Sequence, residues 1–166
     1  TVDLNQELYT EKLNELQLDF ENLSESTCPK ISFLKLEIDK VPETYKNSLD
    51  NYFTDLGLNK NNFFTDVSNY LSYETGQPTH CYDANKIDGK IVFDEIEGDE
   101  DFETLLGTKI NLTGKNAVFL LNDKVINLAG IIGGNSSACS SDTKTVIVEC
   151  AFFKSDAITG KSVKYD

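Results

Sequence analysis

Apolar positions recur at helical spacing through the first half of the chain and alternate over short runs in the second. Leu13, Leu16, Phe20 and Leu23 fall on one stripe, with Leu18 off it, and predict a helix within residues 1–27. Ile31 to Ile38, just after Pro29, is dense in branched and aromatic residues and predicts a strand. Tyr45, Leu49, Tyr52, Phe53 and Leu56 make one apolar helix face, with Pro42 suited to its first turn and Gly57 stopping it. A second helix is expected over Phe64–Glu74, with Val67 and Leu71 turned inward and Gly76 ending it; Pro78 then holds Gln77 extended.

Beyond residue 90 the period shortens. Lys90–Ile96, Thr108–Leu112, Ala117–Leu121, Lys124–Leu128 and Thr145–Cys150 read as strands, with Asn122-Asp123 a two-residue hairpin turn and Asp88-Gly89 a second turn. Helices followed by meandering strands predict an α+β fold: N-terminal helices packed on antiparallel or mixed sheets, not a doubly wound parallel sheet. There is no repeat and no low-complexity linker, so residues 1–166 are expected to form a single compact domain, with 1–27 as its N-terminal helical segment.

Composition narrows the chemistry. An apolar content of 39% in 166 residues is enough for a core and excludes a disordered tail. No apolar run approaches the roughly 20 residues that span a bilayer, so no membrane partner is expected. The chain contains no Met, even at its first position, and is expected to be a piece of a larger protein. The net charge is −13, and all 15 basic residues are Lys. That balance argues against a nucleic-acid or anionic-membrane surface on this domain, since phosphate binding needs clustered cations, and no DNA partner is expected. Seven of the ten residues from Asp94 to Glu103 are acidic; the run lacks the ligand alternation of a calcium loop and reads as a solvated loop. Cys28, Cys81, Cys139 and Cys150 form no CxxC or Cys/His cluster, so no metal site is expected and reduced, cytoplasmic thiols are.

Four local oddities carry candidate chemistry. His80 is the only imidazole, on a Pro-stiffened segment after a helix end; it is either a capped loop histidine or an acid–base group. Cys81 beside it is a poor partner, because adjacent residues on an extended chain face opposite ways. Ala129-Gly130-Ile131-Ile132-Gly133-Gly134 is a tight turn or a ligand-facing stretch of bare backbone. Glu149 interrupts the apolar run Val146–Phe153; it lies on an exposed face, or it is buried with a partner or a task. Asn69 sits mid-helix, where Asn is a mediocre helix former, either exposed to solvent or held there for use.

Taken together, Thr65-Asp66-Val67-Ser68-Asn69-Tyr70, the segment from Gly76 to Asp83, Leu128 to Gly134 with Ser137 and Thr143 after it, and Val148-Glu149-Cys150-Ala151-Phe152 resemble the editing module of the bacterial phenylalanyl-tRNA synthetase beta chain. The family pattern runs VD-T-NY, GQPLHAFD, LAGIMGG and LE-A-F, and its order and spacing hold from about Cys28 to Phe153. The resemblance implies an ester hydrolase that removes tyrosine mis-attached to the phenylalanine tRNA. It assigns catalytic roles to His80, Asn69 and Glu149, and substrate binding to Glu149, Gly130, Ala129, Gly133, Pro78 and Ser68. It implies no cofactor in this domain, the parent ligase using ATP and Mg elsewhere. The implied partners are the 3′ end of mischarged tRNA, the rest of the beta chain and the alpha subunit of a heterotetramer. The sequence departs from the pattern at Ser68 (Thr in the family), at Thr79-His80-Cys81-Tyr82 (Leu-His-Ala-Phe), at Ile132 (Met), and near Asn59-Lys60, where the family carries Arg-Pro. Two other readings stand beside it: a structural or aromatic-amino-acid-binding module that cleaves nothing, and an unrelated esterase using His80 with Cys81.

Overall fold

The structure, a computed structural model, describes residues 15–45 and 48–165. In chain order its strands are β1 (Phe20–Asn22), β2 (Lys30–Glu37), β3 (Thr79–Asp83), β4 (Ile91–Glu103), β5 (Lys109–Leu121), β6 (Lys124–Leu128), β7 (Ile132–Gly133) and β8 (Thr145–Phe152). The helices are α1 (Ser48–Asp55), α2 (Phe63–Thr75), α3 (Ser155–Ile158) and α4 (Lys161–Tyr165). The fold is α+β, a few helices on two sheets. One sheet runs β1-β4-β5-β6-β7 and the other β2-β8-β3. All pairings are antiparallel except β1 with β4.

The five-stranded sheet curls back on itself. Thr104, just past β4, bridges Gly134, just past β7, and the Leu105 N–H donates to the Gly133 carbonyl at 2.9 Å. Because side chains alternate across a strand, each face of this sheet fills its own core. Phe93, Phe119, Ile91 and Ile126 point to the three-stranded sheet and pack with its Tyr82, Ile147 and Ala151. Phe93 and Phe119 stack 5.2 Å apart, both fully buried, each such ring stabilising the fold by about 1.5–3 kcal/mol. Phe102, Leu112, Val118, Val125 and Leu128 fill the opposite, concave side.

Local chemistry explains the elements. Asn62 caps α2 by accepting the Thr65 N–H at 3.1 Å, and Gly76 ends it at φ +72°, a left-handed conformation that favours glycine. Asn122 and Asp123, at φ +51° and +63°, make the tight turn between β5 and β6, as their residue types predict.

Several expectations need correction. Within 1–27, Leu13 lies outside the described residues; Phe20–Asn22 is a strand and Ser24–Cys28 a turn, not a helix. The reason is non-local: Phe20 pairs with Ile91 across the parallel ladder and packs 4.9 Å from Phe33. Pro42 stands outside the first helix, which starts at Ser48. On α2 the buried positions are Phe64, Asp66 and Ser68, while Leu71 is exposed. Asp66 can be buried because its carboxylate accepts the Asn61 N–H at 2.9 Å and the Tyr45 hydroxyl. The Asp94–Glu103 run is no loop but the last ten of the thirteen residues of β4, paired residue for residue with β5. The two strands expected at Thr108–Leu112 and Ala117–Leu121 are one. It passes through Gly114 at φ +67° opposite Gly98, and Asn116 Nδ2 donates to the Thr113 and Gly114 carbonyls there.

Candidate active site

Strand β8 is the centre of the three-stranded sheet, and Glu149 stands at its middle. Its ladder partner on β3 is His80, so imidazole and carboxylate share the face turned to the other sheet. Glu149 is only 4% exposed and is not on the solvent face. The Tyr82 hydroxyl donates to Glu149 Oε2 at 2.9 Å. Asn127 Nδ2, from β6, donates to the Tyr82 oxygen at 2.8 Å and to Glu149 Oε2 at 3.3 Å. Burial pushes the Glu149 carboxyl up to about 7, against the Tyr82 hydrogen bond, which favours the ionised form. Oε1 accepts from no described residue.

His80 is shifted the other way. Burial pushes it down to about 4, so the ring is neutral at physiological pH. Its Nε2 is sealed from solvent and has no hydrogen-bond partner among the described residues. The ring lies edge-on to Tyr82, centroids 4.5 Å apart. On its other side is Gly133: a Cβ there would fall 2.1 Å from His80 Cε1 and 2.6 Å from Nε2. The close approach, not the backbone angle, requires glycine at 133. Gly130 does need its conformation, φ +69°, and is packed by Phe153 and Ile158. No described backbone hydrogen bond takes its N–H.

One cavity of about 540 Å³ collects these groups. Ser68 and Asn69 from α2, Pro78 and His80 from the segment entering β3, Gly130 and Gly133 from the glycine turn, and Glu149 from β8 all line it. Ala129, the remaining residue the resemblance names, does not; it is 1% exposed and packs in the inter-sheet core. Cys81, next to His80 on β3, lines the same cavity from its α2 side, its Sγ lying 3.4 Å from Ser68 Oγ. Burial raises the Cys81 thiol, which disfavours the thiolate. Among the described residues no group of three or more His, Cys, Asp or Glu is placed to hold a metal ion, and no helix is long and apolar enough to cross a membrane.

Residues 32–166 match a family model described as the B3/4 domain. The chain belongs to the B3/4 domain family. Curated relatives similar to this B3/4 chain are phenylalanine–tRNA ligase beta subunits. That of Aliivibrio fischeri is 38% identical over 109 residues, 66% of this chain and 14% of the relative. That of Vibrio cholerae is 40% identical over 60% of this chain and 13% of its own length. That of Psychrobacter arcticus is 34% identical over 139 residues, 83% of this chain and 17% of the relative. The chain thus spans well under a fifth of the length of these proteins. A crystal structure of an N-terminal fragment of the phenylalanyl-tRNA synthetase beta subunit from Pyrococcus horikoshii shares the fold, with a TM-score of 0.57 at 14% identity, covering 86% of this chain and 46% of that one.

Sequence reasoning missed two groups bonded to Glu149: Asn127, which lines the B3/4 cavity, and the Tyr82 hydroxyl buried behind it. Asn127 carries the same signal that drew attention to Glu149: it is a polar residue inside an apolar run, Val125-Ile126-Asn127-Leu128-Ala129, and it is 4% exposed. Such a group is buried only with its hydrogen bonds made.

Proposed function

We propose that this B3/4 chain is the proofreading module of a phenylalanine–tRNA ligase beta subunit, hydrolysing the ester that joins tyrosine to the phenylalanine tRNA. The observation that carries the reading is a single cavity lined by Glu149, neutral His80, Asn69 and the glycine turn. Discrimination is the physical problem. Tyrosine exceeds phenylalanine by one hydroxyl, and a hydrophobic pocket rejects an added hydroxyl by only about 10²-fold. A pocket that hydrogen-bonds the hydroxyl reverses the preference, because phenylalanine leaves its buried polar group unpaired at a cost of about 1–3 kcal/mol, more if charged.

In this reading Glu149, helped by the Gly130 N–H, receives the phenol, with Pro78 and Gly133 as walls. His80, Asn69 and Ser68 serve the ester end. A ring held near pKa 4 is a weak base at neutral pH, and with Nε2 sealed its part is to orient water through Nδ1. The aminoacyl ester is already activated, which makes orientation a sufficient contribution. The rest of the beta chain and an alpha subunit would present the tRNA 3′ end.

The test is deacylation of Tyr-tRNA and Phe-tRNA by the full ligase carrying Glu149→Ala. Loss of the Tyr-over-Phe preference is expected; retained preference overturns the assignment. A second reading, a module that binds an aromatic amino acid without cleaving its ester, is favoured by the sealed Nε2 of His80. Tyrosine binding near Glu149 with no deacylation of Tyr-tRNA would select it.

A further inference from the structure

Glu149 is engaged on one side only. Both hydrogen bonds from described residues reach Oε2: the Tyr82 hydroxyl at 2.9 Å and Asn127 Nδ2 at 3.3 Å, with Asn127 also bonded to the Tyr82 oxygen at 2.8 Å. Glu149 and Asn127 line the cavity, whereas Tyr82 does not; it is fully buried behind them. Two donors on one oxygen fix the carboxylate's rotation, so the other oxygen has a set direction. We infer that Tyr82 and Asn127 are positioning residues for substrate selection: by holding Oε2 of Glu149 they leave Oε1 as the acceptor for a ligand hydroxyl in the cavity. The inference rests on the proofreading reading above and extends it to two residues which that reading does not use.

The chemistry is consistent from every side of the carboxylate. The Tyr82 hydroxyl is an O–H donor aimed at the chain's own buried acid. The titratable groups around Glu149 are Tyr82 and His80 on β3, Cys81 next to them, and Cys28 ahead of β2. Burial keeps all four uncharged at neutral pH, raising the phenol and both thiols and lowering the imidazole. Tyr82 is therefore the group among these that favours the ionised, hydrogen-bond-accepting form of Glu149 through a direct bond.

Tyr82→Phe removes one oxygen and keeps the ring, and Asn127→Ala removes the second donor. In the full ligase, each is expected to lower the ratio of kcat/KM for Tyr-tRNA over Phe-tRNA deacylation by about tenfold at pH 7.5. A loss of packing alone would admit water and move the Glu149 titration downward, whereas loss of the Tyr82 hydrogen bond moves it upward. ¹³C-carboxyl NMR of Glu149 in this chain should show its midpoint, about 7 in the wild type, displaced upward in Tyr82→Phe. Unchanged selectivity with an unchanged midpoint in both variants overturns the inference and leaves the proofreading reading standing. Should the wild-type ligase fail to deacylate Tyr-tRNA, the proofreading reading falls instead; the NMR titration then decides whether Tyr82 holds the carboxylate, an unmoved midpoint overturning that too. If Tyr82→Phe misfolds, Asn127→Ala carries the selectivity test, unchanged selectivity overturning the inference.

Discussion

His80 and Glu149 face each other directly across the β3–β8 ladder, and the same burial moves their proton affinities in opposite directions. The imidazole is held near 4 and the carboxyl near 7, so at neutral pH the pair carries no positive charge and at most one negative charge. An acid and a base that would form an ion pair in water are kept apart in protonation by a dry setting.

This pairing gives stability a definite pH dependence. The unfolded His80 binds its proton near 6.5 and the folded one near 4, so its contribution is lost as pH falls from 6.5 to 4. Glu149 titrates near 4.5 unfolded and near 7 folded, so its contribution is lost as pH rises from 4.5 to 7. The two slopes oppose each other between 4.5 and 6.5 and leave a plateau in that range. Thermal melts of this chain from pH 4 to 8 should show it. In Glu149→Gln, stability should climb from pH 4 to 6.5 and then level; in His80→Gln it should decline from 4.5 to 7. Identical profiles for all three proteins would contradict these shifts.

Gly133→Ala should strike the ring without disturbing the backbone. The added Cβ would sit 2.1 Å from His80 Cε1, so the imidazole must leave its place. Deacylation of Tyr-tRNA by the full ligase should drop by about 10²-fold, the scale of a misplaced reacting group. Circular dichroism reports whether the fold survives; a near-normal rate with the ring in place would be the contrary result.

Cys81→Ser should leave deacylation within about twofold. The thiol lines the cavity on its α2 side, against Ser68, and burial raises it, which disfavours the thiolate. A large rate loss in a folded variant would restore the thiol-esterase reading.

Asp123→Val tests the hairpin between β5 and β6. Asp123 holds φ +63°, which a β-branched side chain resists, and the change should destabilise the chain by about 1–2 kcal/mol in urea unfolding. No loss would mean that the turn has another geometry.

What the sequence revealed was local. Caps and turn residues gave α2 and the β5–β6 hairpin, and the apolar run around Glu149 gave β8. What it concealed depended on distant partners. The leucine stripe before residue 27 promised a helix because nothing nearby discloses that Phe20 pairs with Ile91. The acidic run looked like a loop because charge obscured a ladder whose other half is β5. Asn127 meets Tyr82 across 45 residues of chain, so neither announces the bond. At the site, the motifs brought seven of the eight family-implied residues to one cavity, while Ala129 went to the core behind them.

The bridge from Thr104 to Gly134 turns the larger sheet into a closed circuit. A circuit has no slack: β7 is gripped by β6 on one side and by the Leu105 amide on the other, so the peptide pressed against His80 cannot drift alone. Lengthening the Leu105–Gly107 loop by a single residue would be felt at the imidazole, since Leu105 and Leu106 also line the cavity.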